Sequence, residues 1–593
     1  MSRLLVALAL LAALAGPVLA QQPKVLRYAF RVAETTFDPT QISDTYSRTV
    51  TPHIFEAPYT YDHLARPARI RPLTAVALPE VSDDYKVWTV KIRPGIYFTD
   101  DAAFKGQRRE LVAQDYVYAL LRFADPASKS PMWGYVDTMG IEGLAAARQR
   151  ALDAQQPFDY DSPVAGVRAL DRYTLQYRLA QPRPRFVSFL AASDLFGAVA
   201  REVVEHYGAQ IGAHPVGTGP FVLAQWRRAS QIVLEKSPAY RERVYDAEPA
   251  ADDAEGQAIL ARLKGRRIPM IDRVEIAIIE ETQPRWLSFL NGQADLIEEV
   301  PDDFMAQAMP GGQVAPYLAG QGITAQRRIR PDITMHLFNM EDPVLGGYTP
   351  DRVALRRAIS LGTDVAREID VVRRGQAIAA QSLVMPHVYG YDPAFKSEMS
   401  AYSPARAKAL LDLYGYTDRD GDGWRDLPDG QSLVLVVNSS PDQASRQTAE
   451  LWRRNMTVLG IRVRFDIKKW PEQLRAARAG QYMIWGVASA ATEPDGQTVL
   501  QRYDGAQSGG QNLSRFNLPE MNRIYQQMSA LPDGPERLAL FEQAKRLAVA
   551  YMPMRAMVHR YATAMLWPQV VGYRKPLFWQ EWWHMVDVAP AKP

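Results

Sequence analysis

At 593 residues the chain is too long for one hydrophobic core, and roughly two to four domains are expected. Its composition, 47% hydrophobic and 23% charged, is that of a folded soluble protein, and a net charge of +3 without a run of like charges argues against a polyanion partner such as nucleic acid. The complete lack of cysteine excludes disulfides, thiolate chemistry and a cysteine-borne lipid anchor.

Arg3 precedes an apolar run from Leu4 to Gly16, then Pro17 and the small-residue site Val18-Leu19-Ala20. This is the pattern of a secretory signal over residues 1–20, with cleavage expected after Ala20. The run is shorter than the ~20 residues of a spanning helix, so the mature chain is expected to be exported and soluble, in a bacterial periplasm. Lys24 to Arg31 alternates like a first strand, and a polar, turn-rich loop follows from Phe37. Val81 to Asp101 reads as a strand with Trp88, Val90 and Ile92 on one face and Thr89, Lys91 and Arg93 on the other, a Pro94-Gly95 turn, and an apolar return at Ile96 to Phe98. Ala113, Tyr116, Val117, Leu120 and Leu121 form a helical stripe. Trp133 and Tyr135 fall on a loop.

The stretch His214 to Phe221, HPVGTGPF, is a shaped connector: Gly217 and Gly219 permit unusual backbone conformations, and Pro215 and Pro220 restrict it. A hairpin is predicted after it. Tyr245 to Gly256 is an acidic surface insertion with no function legible in its residues. A strand from Ile271, a helix stopped by Gly292 and a strand from Ile333 to Met340 come next, followed by a helix over 352–369. Ser403 as N-cap, Pro404 at the first helical position and Gly415 at the end punctuate another helix, and Pro535 opens one more.

Eight histidines show no metal-ligand spacing, and there is no nucleophile elbow, phosphate loop or dinucleotide fingerprint. No catalytic residue and no cofactor is assigned, and the chain is read as a non-enzyme. One metal pattern does occur. Asp418, Asp420, Asp422, Gly423 and Asp429 occupy positions 1, 3, 5, 6 and 12 of a calcium loop, with Asp426 at position 9. Position 12 lacks the usual Glu and a strand, not a helix, follows, so the loop is read chiefly as a structural turn.

The first strand and its Asp-Pro loop, the strand ending in a basic residue and G-x-x-F, the helix after it and PVGTGPF, in this order, resemble the family 5 extracellular solute-binding proteins of ABC importers, which include oligopeptide, dipeptide and nickel binders. The resemblance covers essentially the whole mature chain. It implies an α/β, two-lobed periplasmic binding protein fold (class II-like, with the extra subdomain of the peptide-binding members) and a ligand cleft between the lobes. The expected divisions are 21–52, 214–332 and 558–593 for the first lobe, 53–213 for its inserted subdomain, and 333–557 for the second lobe. The implied function is capture of a peptide or peptide-like solute, delivered by a monomeric protein to an inner-membrane permease as the lobes hinge shut. Haem, sugars and other small molecules are handled on the same fold, and a chaperone or sensor-docking module is the reading from another class. By resemblance Glu34, Thr35, Thr36, Tyr46 and Trp133 line the cleft from the first lobe and its subdomain, and Trp485, Val487, Ala488, Ser489 and Ala490 line it from the second. There is one departure. Peptide-binding relatives carry an Asp for the ligand's ammonium four residues before the Pro that is here Pro494, and this chain has Ala490 there.

Overall fold

The structure is a computed structural model describing residues 22–589, so the expected signal sequence lies outside the described residues. Among the described residues no helix is long and apolar enough to cross a membrane. The first strand forms as its alternation predicts: β1 (Val25–Phe30) buries Leu26, Tyr28 and Phe30. It pairs in parallel with Arg273–Ile278, and the hairpin after HPVGTGPF, Phe221–Arg227 and Gln231–Lys236, completes a four-stranded sheet. We call the hairpin strands β2 and β3 and the central strand β4. Gly217 and Gly219 are required for a reason other than the expected one. Neither has positive φ; a Cβ on Gly217 would stand 2.0 Å from the Ile54 carbonyl oxygen, and one on Gly219 2.6 Å from it. The connector runs against the Ile54 backbone, which accepts from Gly219 N at 2.8 Å.

A separate four-stranded antiparallel sheet, with Val87–Lys91 and Thr174–Arg178 at its centre, supports the helix Ala113–Ala124. Trp88, Val90 and Ile92 are buried in its core with Tyr116, Leu120 and Leu121, as the periodicities predict. The expected return at Ile96 to Phe98 is reduced to a short pairing with Arg109–Leu111, around the bridge between Tyr97 and Glu110.

The largest sheet has eight strands. Two of its members, β5 (Thr324–Ile329) and β6 (Asp332–Phe338), follow one another across Arg330-Pro331. Then come β7 (Val434–Ser439), β8 (Arg462–Ile467) and β9 (Ile484–Ala490), with β7 parallel to both β8 and β9. The last long strand, β10 (Met554–Leu566), pairs with β6 through its first half and with β5 through its second. The predicted helix over 352–369 is broken. It runs from Pro350 to Leu361, stops at Gly362, where a Cβ would strike Leu459, and restarts after Asp364, whose carboxylate accepts from Arg367 N at 3.0 Å.

The acidic insertion has a structural role. Asp246 pairs with Arg71 at 2.8 Å, Glu248 with Arg69, Asp253 with Arg574 and Glu255 with Arg328. Four carboxylates within ten residues thereby tie together segments that lie far apart in sequence, including β5.

Candidate functional site

Ligands of open α/β sheets bind beyond the carboxyl ends of parallel strands. In this chain those ends are Phe30 of β1, Ile278 of β4, Ser439 of β7, Ile467 of β8 and Ala490 of β9. The segments following β1 and β9 are the two that the sequence reading selects. A chain of polar contacts runs between them across the crossover strands, β5 continuing into β6 on one side and β10 on the other. Tyr46 Oη accepts from Arg31 Nε at 2.9 Å, Arg31 lies 3.4 Å from Glu299, and Arg330 Nη1 meets Glu299 at 2.7 Å. Arg330 and Arg560 both pair with Asp332, at 3.2 and 2.8 Å, and Asp332 stands opposite Ala490 in the β6–β9 register. Opposing charges hold Glu299 below the usual carboxylate range despite burial, with Arg330 the largest of them.

On the first-lobe side, Glu34 is buried and accepts from the Trp226 indole N–H and from Ala229 N. It is an anchor for the β2–β3 hairpin. Its other oxygen is buried without a hydrogen-bond partner in the structure. Thr35 is exposed and donates to Asp44 at 2.6 Å, and Thr36 packs its hydroxyl against Gly212, where a Cβ would not fit. Tyr46 is half-buried against Phe30. Trp133 is placed differently from expectation. It opens a one-turn helix, Trp133–Asp137, with the Arg148 guanidinium 5.0 Å from its ring, while its neighbour Tyr135 reaches the second lobe and donates to Glu493 at 3.4 Å.

On β9, Ala488 and Ala490 are exposed and share a face with Gly486, while Val487 and Ser489 are half-buried on the other. Ser489 Oγ is 3.0 Å from Arg502 Nη2. Trp485 is a correction. It is 2% exposed, covered by Trp470 and Tyr482, whose rings lie 4.9 and 6.5 Å from its own, at a β9 position level with Asn438 of β7 and Asp466 of β8. Trp470 is the aromatic that the sequence reading missed. It is 50% exposed, just past the carboxyl end of β8 and next to Ile467, which is 62% exposed. A large apolar residue directly after a strand of parallel sheet was the available signal.

The charge around Ala490 has been rearranged. Asp332 is committed to its two arginines. Asp495 is held by Arg537 at 2.8 Å and stands 3.0 Å from Arg185 Nε, off that N–H axis. Glu493 is left with the Tyr135 hydroxyl and no ion pair within 4 Å among the described residues. Burial, and then the nearby Asp495 charge, push its carboxyl up to about 7.

The calcium-type loop assembles only in part. Asp418, Asp420 and Asp426 bring one oxygen each within 4.8 Å of one another. Asp422 and Asp429 are not in this group, which corrects the expected set: Asp422 is taken by Arg462, and Asp429 accepts from Gln431 N at 3.1 Å. The Asp418 oxygens already accept from Gly421 N and Gly423 N at 2.8 and 2.9 Å, and Asp426 from Arg419 N at 3.0 Å. These bonds fold the loop without an ion. Chelator is therefore expected to leave the melting temperature unchanged; a bound ion at a hundred times its Kd would add about 2.7 kcal/mol and make the melt calcium-dependent.

Comparison with known proteins agrees with this architecture. Residues 69–511 match the bacterial extracellular solute-binding proteins, family 5 (middle region). The chain is 24% identical to di/tripeptide-binding protein 2 of Pseudomonas aeruginosa, over 97% of this chain and 96% of that one. It is also 24% identical to a probable deoxycholate-binding periplasmic protein of Escherichia coli, over 94% and 91% of the two chains. A solved periplasmic binding protein of Helicobacter pylori, in complex with the peptide STSA, superposes with a TM-score of 0.68 at 19% identity, covering 95% of this chain and 98% of that one. The two lobes, the crossover strands and the match over most of the length place this chain in family 5 of the bacterial extracellular solute-binding proteins.

Proposed function

We propose that the chain captures a peptide or peptide-like solute between its lobes in the periplasm and delivers it, as a monomer, to the permease of an ABC importer. The observation that carries this is the contact chain from Tyr46 and Arg31 through Glu299 and Arg330 to Asp332, which joins the end of β1 to the β9 edge. That edge, with Ala488 and Ala490 exposed, is a backbone-rich wall on which an extended chain can lie. Support also comes from the di/tripeptide-binding relative and from the peptide in the superposed structure. Thr35, Tyr46, Ala488, Ala490 and the exposed Trp470 are the contacts we assign to the solute.

With alanine at 490, binding does not rest on a free α-amine at that place. A charge-assisted hydrogen bond is worth roughly 1.5 to 3 kcal/mol, so its absence costs an amine-bearing ligand about ten- to a hundredfold there. Glu493 supports a second reading, in which its carboxyl takes a cationic group from a position three residues further along. Calorimetry with matched free and N-acetylated di- and tripeptides, beside deoxycholate as a non-peptide solute, separates these. We expect acetylation to change affinity less than tenfold. Abolition by acetylation would select Glu493, and binding of deoxycholate alone would overturn the peptide assignment.

A further inference from the structure

Besides the Tyr135–Glu493 contact, the subdomain meets the second lobe through the sequence Gln181-Pro182-Arg183-Pro184-Arg185, which no part of the solute-binding reading uses. Proline fixes φ at two of its five positions and so stiffens the arm. Arg185 at its tip donates to the Leu531 carbonyl at 2.8 Å, the Ser529 carbonyl at 2.9 Å and Gln497 Oε1 at 2.8 Å, and lies 3.0 Å from Asp495. The two carbonyls belong to the end of the helix Pro519–Ala530, where unpaired backbone acceptors and the negative end of the helix dipole attract a cation. Burial lowers the pKa of Arg183, two residues earlier, from its ordinary value, and its Nε is buried without a hydrogen-bond partner in the structure.

The receiving side is built independently of the arm. Arg537, fully buried within the second lobe, holds Asp495 Oδ1 at 2.8 Å, Gln497 Oε1 at 2.9 Å and the Met528 carbonyl at 3.1 Å. When Arg185 withdraws, Arg537 keeps these acceptors in place, while the Ser529 and Leu531 carbonyls turn to water. The socket is therefore preformed and the plug removable, which are the properties of a reversible contact.

We propose that Pro182–Arg185 is a latch that docks the subdomain on the second lobe and sets the balance of open and closed forms without any solute. The contact uses no residue of β5, β6 or β10, so breaking it leaves those strand pairings intact while it frees the arm. The chain has no cysteine, so Gln156→Cys in the subdomain and Gln526→Cys on the helix Pro519–Ala530, both exposed, can carry spin labels without further changes. In the full mature protein, dialysed free of solute, pulsed electron resonance should show a short, closed distance in the parent. Arg185→Ala should lower the closed-to-open ratio at least about tenfold, the loss of one charge-assisted contact. Arg185→Lys, whose compact ammonium keeps the charge but lacks the planar fork that spans these acceptors, should fall between them. A parent with only the long distance, or a folded Arg185→Ala protein whose distribution matches the parent's, overturns the latch. The measurement contains no solute, so its outcome is independent of the peptide assignment.

Discussion

Asp332→Ala is expected to lower the unfolding free energy by about 3 kcal/mol, the low end of what breaking a buried ion pair costs. Asp332 is fully buried between Arg330 and Arg560 and also accepts from Arg560 N at 3.0 Å. Its removal leaves a backbone donor unpaired and two guanidinium groups facing one another. Both arginines keep about a third of their side-chain surface in water, which moderates the loss. Asp332→Asn keeps the acceptor for Arg560 N and removes the charge, so the two variants separate hydrogen bond from ion pair. Denaturant titration reads both. A change below 1 kcal/mol for alanine would mean that the arginines hydrate fully without their partner and that the crossover is held by strand pairing alone.

Glu581→Gln is expected to change how stability depends on pH. Glu581 is buried beside Thr60, whose hydroxyl donates to it at 2.9 Å, and burial, then the Asp194 charge, raise its carboxyl to about 8. A carboxyl with a raised folded value keeps its proton in the native protein after the unfolded chain has lost it. Its stabilising protonation is therefore complete below pH 4.5 and is lost as pH rises through about 8. Between pH 5 and 8 the wild type should lose roughly 4 kcal/mol relative to the glutamine variant, which has no proton to lose and still offers an oxygen to Thr60. Histidines govern the acid side in the opposite sense. His53, with Nδ1 on the Thr49 carbonyl and Nε2 accepting from Trp582 N and Trp583 N, has no site for a second proton, and burial lowers it to about 3. Its contribution is complete above pH 6.5 and disappears as pH falls toward 3. Parallel thermal melts from pH 5 to 8.5 test the first effect; identical pH slopes for the two proteins would show that Glu581 ionises in place at no cost.

What was legible in the sequence was local. The alternation of Leu26, Tyr28 and Phe30 and of Trp88, Val90 and Ile92 marks buried strand faces, because side chains on a strand repeat every two residues. Residues whose role depends on a distant partner were not legible. Gly217 and Gly219 were picked out, but the reason, the Ile54 backbone, is more than 160 positions away. Asp422 fits a calcium loop by spacing and is captured by Arg462, forty residues on. Arg185 looks like one more surface arginine until Gln497, 312 residues later, is brought beside it. The placing of Trp485 and the omission of Trp470 have one cause. Alternation says that a strand has two faces and does not say where along it the sheet emerges from its helices.

β10 is continuous, its thirteen residues pairing first with β6 and then with β5, and the β6 pairing slips register between Thr334 and Met335. A narrow hydrogen-bonded ribbon flexes readily out of its own plane and resists shearing within it, since in-plane displacement would break the ladder while out-of-plane bending only changes its twist. The second lobe is thus tied to the first by a leaf spring with a single soft direction. On the function proposed above, the walls assigned to Thr35 and Ala490 would then approach along one arc and return to the same relative position each time.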